Sequence, residues 1–155
     1  MTTPPYELRV ATDADRPPVY RIYGELFRGD IERIWGWDET WQRENFAAEW
    51  GASETRIIEV AGRLAGYIQR QFREDHDYLL SLGLIPEMQG RGLGSSIMRG
   101  LQKEAGMRGL ALRLSVFRTE PRRLPFYQGL GFRVTETAEA FWRLECLPGE
   151  ILGAP

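Results

Sequence analysis

Between residues 79 and 96 the sequence passes from an apolar run into a glycine-rich turn and out again into an amphipathic run, and few backbones can follow that order. The apolar stretch 79–85 halts at Pro86. Gly90, Gly92 and Gly94 then alternate with Arg91 and Leu93, and helical spacing begins at about Ser95. A strand, a tight turn and a helix are therefore expected in that order. Glycines at alternate positions let the backbone come close to a ligand and take dihedrals closed to other residues. Successive N–H groups can then point at phosphate oxygens, with the positive end of the following helix behind them.

Two familiar glycine loops do not fit. The dinucleotide fingerprint wants a glycine three residues after its second one, but Gly90 and Gly92 lead to Ser95, and Gly92 and Gly94 lead to Ile97. A Walker A loop ends in Gly-Lys-Ser/Thr, and there is no lysine here. What fits is Gln-x-x-Gly-x-Gly, carried by Gln89, Gly92 and Gly94 after a strand that ends in the Pro86-Glu87 turn. This resembles the GNAT superfamily of N-acetyltransferases. A second match lies downstream, where Pro125-Phe126-Tyr127-Gln128-Gly129-Leu130-Gly131-Phe132 is similar to the family's aromatic-Tyr-x-x-x-Gly-Phe segment. The resemblance covers residues 79–134 by motif and residues 6–60 by topology alone.

At 155 residues and a formal net charge of −2, the chain suits one domain, able to bury roughly two thirds of its unfolded surface, with no general attraction to nucleic acid. The single domain is expected over 1–155, with 147–155 as a loose tail. Cys146 is alone, so no internal disulfide forms, and the first residues carry no signal-peptide core. A cytoplasmic protein with no membrane span is the expectation.

Residues 6–11 alternate as a half-buried strand. Thr12 or Asp13 then caps a helix with apolar positions Val19, Ile22, Tyr23, Leu26 and Phe27, its prolines 17 and 18 near the first turn. A second helix fits 40–50, with residues 31–39 as the link. Strands at 56–60 and 64–72 join through Ala61-Gly62-Arg63, and the polar turn 74–77 leads to the strand before the glycine loop. Ile97, Met98, Leu101 and Ala105 form a helical stripe, and 110–117 is an apolar strand, so strand, crossover helix and strand give a parallel pair. A short helix at 124–130 and strands at 132–136 and 140–147 complete an α/β fold. The expected architecture is a single-domain GNAT-like fold with a central mixed, mostly antiparallel sheet and about four flanking helices. Splayed fourth and fifth strands are what the resemblance adds. Gly83, inside the fourth strand, is where a bulge or a close approach is expected.

Moving an acetyl group from a thioester to an amine requires a neutral amine, donors for the oxyanion and a proton for the departing thiolate. An alkylamine has pKa about 10.4 and a thiol about 8.5, so a base matters more than an acid. The resemblance implies acetyl-CoA as cosubstrate, held by Leu82, Leu84 and Ile85 of the strand and by Gln89, Gly90, Arg91, Gly92, Leu93, Gly94 and Ser95 of the loop. Backbone N–H groups near Leu84 and Ile85 are candidates for the oxyanion. Tyr127 matches the tyrosine taken as general acid. Where the family often has an asparagine and a small residue, Glu120 and Arg123 stand.

No residue declares itself as the base. The place of a family glutamate is held by Tyr78; Asp77 should face the other side of its strand, and His76 reads as a solvated turn residue. A base acting through water, or Glu120, stays open. The resemblance puts the acceptor beside the link between the first two helices, where Trp35, Trp37 and Trp41 lie among Glu32, Asp38 and Glu39, suited to a cationic amine. Core packing of these rings is the equal alternative. The expected activity is N-acetyl transfer by direct attack of an amine on the bound thioester. A non-catalytic acyl-CoA-binding module and a phosphate-binding nucleotide regulator are the other two readings. The partner is a small-molecule or peptide amine, with no nucleic acid, membrane or metal, and a homodimer is allowed.

Overall fold

The structure, a computed structural model, describes residues 2–149. The greater part of the expected tail, from residue 150 on, lies outside the described residues. Seven strands follow the order β1-β2-β3-β4-β5-β7-β6: β1 (Glu7–Val10), β2 (Glu54–Val60), β3 (Arg63–Phe72), β4 (His76–Leu84), β5 (Ala111–Phe117), β6 (Arg133–Thr137) and β7 (Phe141–Cys146). The pairs β1–β2, β2–β3, β5–β7 and β6–β7 are antiparallel and β4–β5 is parallel. Four α-helices accompany them among the described residues: α1 (Arg16–Ile34), α2 (Glu39–Ala52), α3 (Leu93–Met107) and α4 (Arg123–Gly129). The β4–β5 register runs from His76 opposite Ala111 to Leu79 opposite Leu114, although β4 continues to Leu84 and β5 to Phe117. The expected parting of these two strands corresponds to that end of register.

The chain divides into two compact units, one comprising the sequence up to Gln71 with Leu80–Leu93, the other Phe72–Leu79 with the sequence from Gly94. In the first, Val19, Ile22, Phe46, Ile57 and Tyr67 form the core. Helix α1 runs four residues into the stretch expected to be a link, where Asp30 and Ile31 are buried. It stops where Gly36, at φ +82°, lets its N–H turn back to the Ile31 carbonyl at 3.1 Å. Asp38 caps α2 by accepting the Trp41 N–H at 3.0 Å. Gly83 makes the close approach expected of it. A Cβ there would stand 2.6 Å from the Tyr67 ring, and one at Gly66 would stand 2.1 Å from the Gly83 carbonyl oxygen.

In the second unit β5 alternates, burying Leu112, Leu114 and Val116, and α3 buries Ile97, Met98, Leu101 and Ala105. Gln102 of α3 donates to the Leu130 carbonyl at 2.8 Å and to the Cys146 sulfur at 3.3 Å, tying helix to β7. The turn expected over 74–77 is shorter, because His76 and Asp77 already belong to β4. Asp77 is buried and ion-paired with Arg108, and that pairing lets a charged residue occupy an inward strand position that periodicity alone assigns to a turn.

Candidate active site

The glycine loop begins where β4 ends. A 3-10 turn at Pro86–Met88 follows, and the Gln89 side chain donates back to the Leu84 carbonyl at 2.9 Å, stapling the turn to the strand. Gly90 and Gly92 take φ +73° and +86°, the left-handed region expected for a backbone that aims its N–H groups at an anion. A Cβ on Gly92 would also meet the Thr3 hydroxyl at 2.4 Å. Helix α3 starts at Leu93, two residues before the expected Ser95. Gly94 and Ser95 therefore fall in its first turn, where N–H groups have no helical partner. Leu93 is fully buried. Arg91 is exposed, and its one contact among the described residues is the Met88 sulfur at 3.6 Å, which leaves its charge uncompensated.

Leu82, Leu84 and Ile85 line the end of the strand, half-buried. Of the two backbone amides expected near the oxyanion, that of Ile85 is taken up by the Ala65 carbonyl at 2.9 Å. The expectation then rests on Leu84, because a hydrogen-bonded N–H is not available to a second acceptor at full strength.

Tyr127 sits in α4, with its ring edge-on to Phe126 at 5.0 Å and to Phe132 at 5.8 Å. The Phe132 and Leu130 N–H groups both return to its carbonyl, which fixes the backbone after the helix. Its hydroxyl has no hydrogen-bond partner among the described residues. Burial pushes the phenol above its ordinary value, with Arg123 pulling the other way, so the group stays protonated at neutral pH. Glu120, left open as a base, is unsuited to it. Arg122 grips both of its oxygens at 2.8 and 3.0 Å and holds the carboxyl at about 2, too acidic to take a proton from an amine.

The tryptophans separate. Trp35 and Trp41 are 61% and 57% exposed, which overturns core packing for those two. Trp37 is half-buried, 6.2 Å from the Tyr23 ring and under the Arg28 guanidinium at 5.1 Å. The acids around them are engaged already: Glu32 with Arg28 at 2.6 Å, Asp38 as helix cap, and Glu39 with Arg43 at 2.8 Å. Glu39 also accepts from the Tyr20 hydroxyl at 2.6 Å and the Trp37 indole at 3.1 Å, and the Tyr20 phenol rises to about 12, by burial first and this bond second.

Tyr78, in the other unit, shares a hydrogen bond of 3.1 Å with the Ser115 hydroxyl and meets the His76 ring edge-on. His76 is a half-buried strand residue, not the solvated turn residue expected, and its Nδ1 lies 2.7 Å from Asp75 and 3.3 Å from Arg113. Among the described residues no group of three or more His, Cys, Asp or Glu is placed to hold a metal, and no helix is long and apolar enough to cross a membrane.

One residue the sequence reading passed over is Glu49 of α2. It is half-buried and accepts from the Asn45 side chain at 2.8 Å. Burial, set against that bond, raises its carboxyl above the ordinary range. The available signal is positional: Gln42, Phe46, Glu49 and Trp50 share one helical stripe, and polar residues interrupt its apolar face.

The model of the Acetyltransferase (GNAT) family matches residues 16–132. Among solved structures, the fold is similar to the PaiA N-acetyltransferase of Thermoplasma acidophilum, in complex with coenzyme A, at 21% identity and TM-score 0.76 over 92% of this chain and 99% of that one. It is similar as well to the ribosomal-protein-alanine N-acetyltransferase of Escherichia coli (20%, 0.70, over 93% and 94%). A third likeness is to an acetyltransferase of Elizabethkingia anophelis with acetyl-CoA bound (12%, 0.69, over 92% and 97%).

Proposed function

This chain belongs to the GNAT family of acetyltransferases, and from that premise we propose that it moves the acetyl group of acetyl-CoA to a primary amine by direct attack in a ternary complex. The observation that carries the reading is the strand–turn–helix at β4 and α3, with Gly90 and Gly92 at positive φ and Arg91 lacking a carboxylate partner among the described residues. These residues fit a pyrophosphate. The N–H groups along Gly90 to Ser95 donate to its oxygens, Arg91 adds a charge-assisted contact, and Gln89 holds the turn in place. The edge of β4 at Leu82 and Leu84 holds the pantetheine arm. Leu84 donates toward the oxygen that gains charge as the amine attacks. Tyr127 then gives its proton to the departing thiolate and recovers one, through water, from the acetylated nitrogen, a role open to it because its hydroxyl has no partner among the described residues and its phenol is protonated.

Thiol release from acetyl-CoA across a panel of primary amines tests the reaction. Amine-dependent release is expected, and its absence alongside tight coenzyme binding would leave a non-catalytic acyl-CoA-binding module. In the same assay Tyr127→Phe should lower kcat by about 100-fold, the low end for a general acid because a thiolate leaves readily. The melting temperature should hold, since the deleted hydroxyl has no hydrogen-bond partner among the described residues. An unchanged kcat would return Tyr127 to a packing role.

A further inference from the structure

Every carboxylate beside the tryptophans is already engaged, yet Glu49 has no ion-pair partner among the described residues. Its surroundings within the same unit are aromatic and hydroxylic. Phe46 and Trp50 of its helical stripe pack with Tyr23 of α1 and Tyr67 of β3 in one cluster that Ile85 joins, and Asn45 of its own helix is its hydrogen-bond donor. Tyr23 also belongs to a ring cluster with Phe27, Trp37 and Phe46 at 5.4–6.2 Å. Tyr67 hydrogen-bonds Ser81 of β4 at 2.7 Å and packs its ring on Gly83, one residue before the Leu84 amide. A half-buried carboxylate without a cation among the described residues, on a stripe whose Phe46 and Trp50 pack in one cluster with Tyr67 and Ile85, is an arrangement that a cation would complete. An isolated buried charge is costly, and an ammonium group would relieve that cost.

We infer that Glu49 is the anion that binds the acceptor's ammonium group, and that the acceptor is a cationic primary amine with apolar carbon next to its nitrogen. The inference rests on the acetyl-transfer reading for the meaning of that ligand. It assigns the selection of a cation to α2, away from the tryptophan link. Tyr23 and the rings around it supply the apolar and cation–π surface, and Asn45 sets the carboxylate's direction.

The test is a pair of calorimetric titrations on the whole protein with coenzyme A present, using phenethylamine and its neutral counterpart phenethyl alcohol. The wild type should bind the ammonium form at least about tenfold more tightly than the alcohol, as a charge-assisted contact gives. Glu49→Gln should abolish that preference while leaving the affinity for the alcohol unchanged. Its melting temperature should not fall, because burial makes the charged form of Glu49 the less favourable one in the fold. If Glu49→Gln folds poorly, Glu49→Asp reads the same quantity by withdrawing the charge one methylene, with a weakened preference as the supporting result. A wild type that does not prefer the amine, or a variant that keeps the preference in full, overturns the inference. Failure of amine-dependent thiol release in the wild type would instead fall on the acetyl-transfer reading, since these titrations do not depend on turnover.

Discussion

The loop at residues 89–92 and the link at residues 35–38 are both largely exposed and join secondary-structure elements, yet they differ in how the charges in and around them are engaged. Around the link, Arg28 meets Glu32, Arg43 meets Glu39, and Asp38 caps α2, so each of these charges has a structural partner. In the loop, the hydrogen bond that Arg91 makes among the described residues is to a thioether sulfur, and the backbone is held at positive φ at two glycines. Residues that build the fold find partners within it. Residues kept for a ligand leave donors, charges or strain without an internal answer, and Glu49 meets that criterion on a helix where composition gave no reason to look.

The sharpest way to break the comparison is Gly92→Val. A branched residue at φ +86° is strained, and its Cβ would press on the Thr3 hydroxyl, so the loop must rearrange. The Kd for acetyl-CoA should rise about 100-fold by calorimetry, while the melting temperature moves by only a few degrees. Unchanged affinity in a folded variant would remove the loop from the coenzyme site.

A smaller effect separates the two regions directly. Arg91→Ala should weaken acetyl-CoA binding about tenfold and flatten its salt dependence, whereas Arg43→Ala, which breaks the Glu39 pair on the surface, should leave coenzyme affinity within about twofold. Equal effects in titrations at low and high salt would mean that the unpaired state of Arg91 carries no functional information.

The smallest effect is on stability. Arg9 holds the Asp15 carboxyl down at about 2 through paired hydrogen bonds of 2.8 and 2.9 Å. A lowered carboxyl stabilises the fold above its unfolded value of about 3.9, and the contribution fades as pH falls toward 2. The pair is partly exposed, so Arg9→Ala should cost no more than about 1 kcal/mol at pH 7 in urea melts, and less than that near pH 2. A cost that grows on acidification would contradict the assignment.

How far the sequence could be read depended on whether a residue's role was local. The glycine loop, the Ala61-Gly62 turn and the apolar strand β5 are set by neighbours in sequence, and they are found where expected. The length of α1 was not legible, since Gly29, Asp30 and the Trp-Gly-Trp stretch look like a break. Burial of Ile31 against the rest of the unit prevails over those weak propensities. His76 and Asp77 were misplaced for a related reason: Asp77 is admitted to β4 by Arg108, which is 31 residues away. Glu49 was missed because only the fold shows which carboxylates lack a partner.

The central claim is that an acetyl group passes straight from the coenzyme to an amine. The most direct measurement mixes the protein with acetyl-CoA labelled in the acetyl group, in a single turnover, with and without an amine that supports thiol release. Without amine, no label should stay on the protein after denaturation; with amine, it should appear on the amine at the rate of thiol release. Label bound covalently to the chain before amine is added, or thiol release with no label on the amine, would contradict the account.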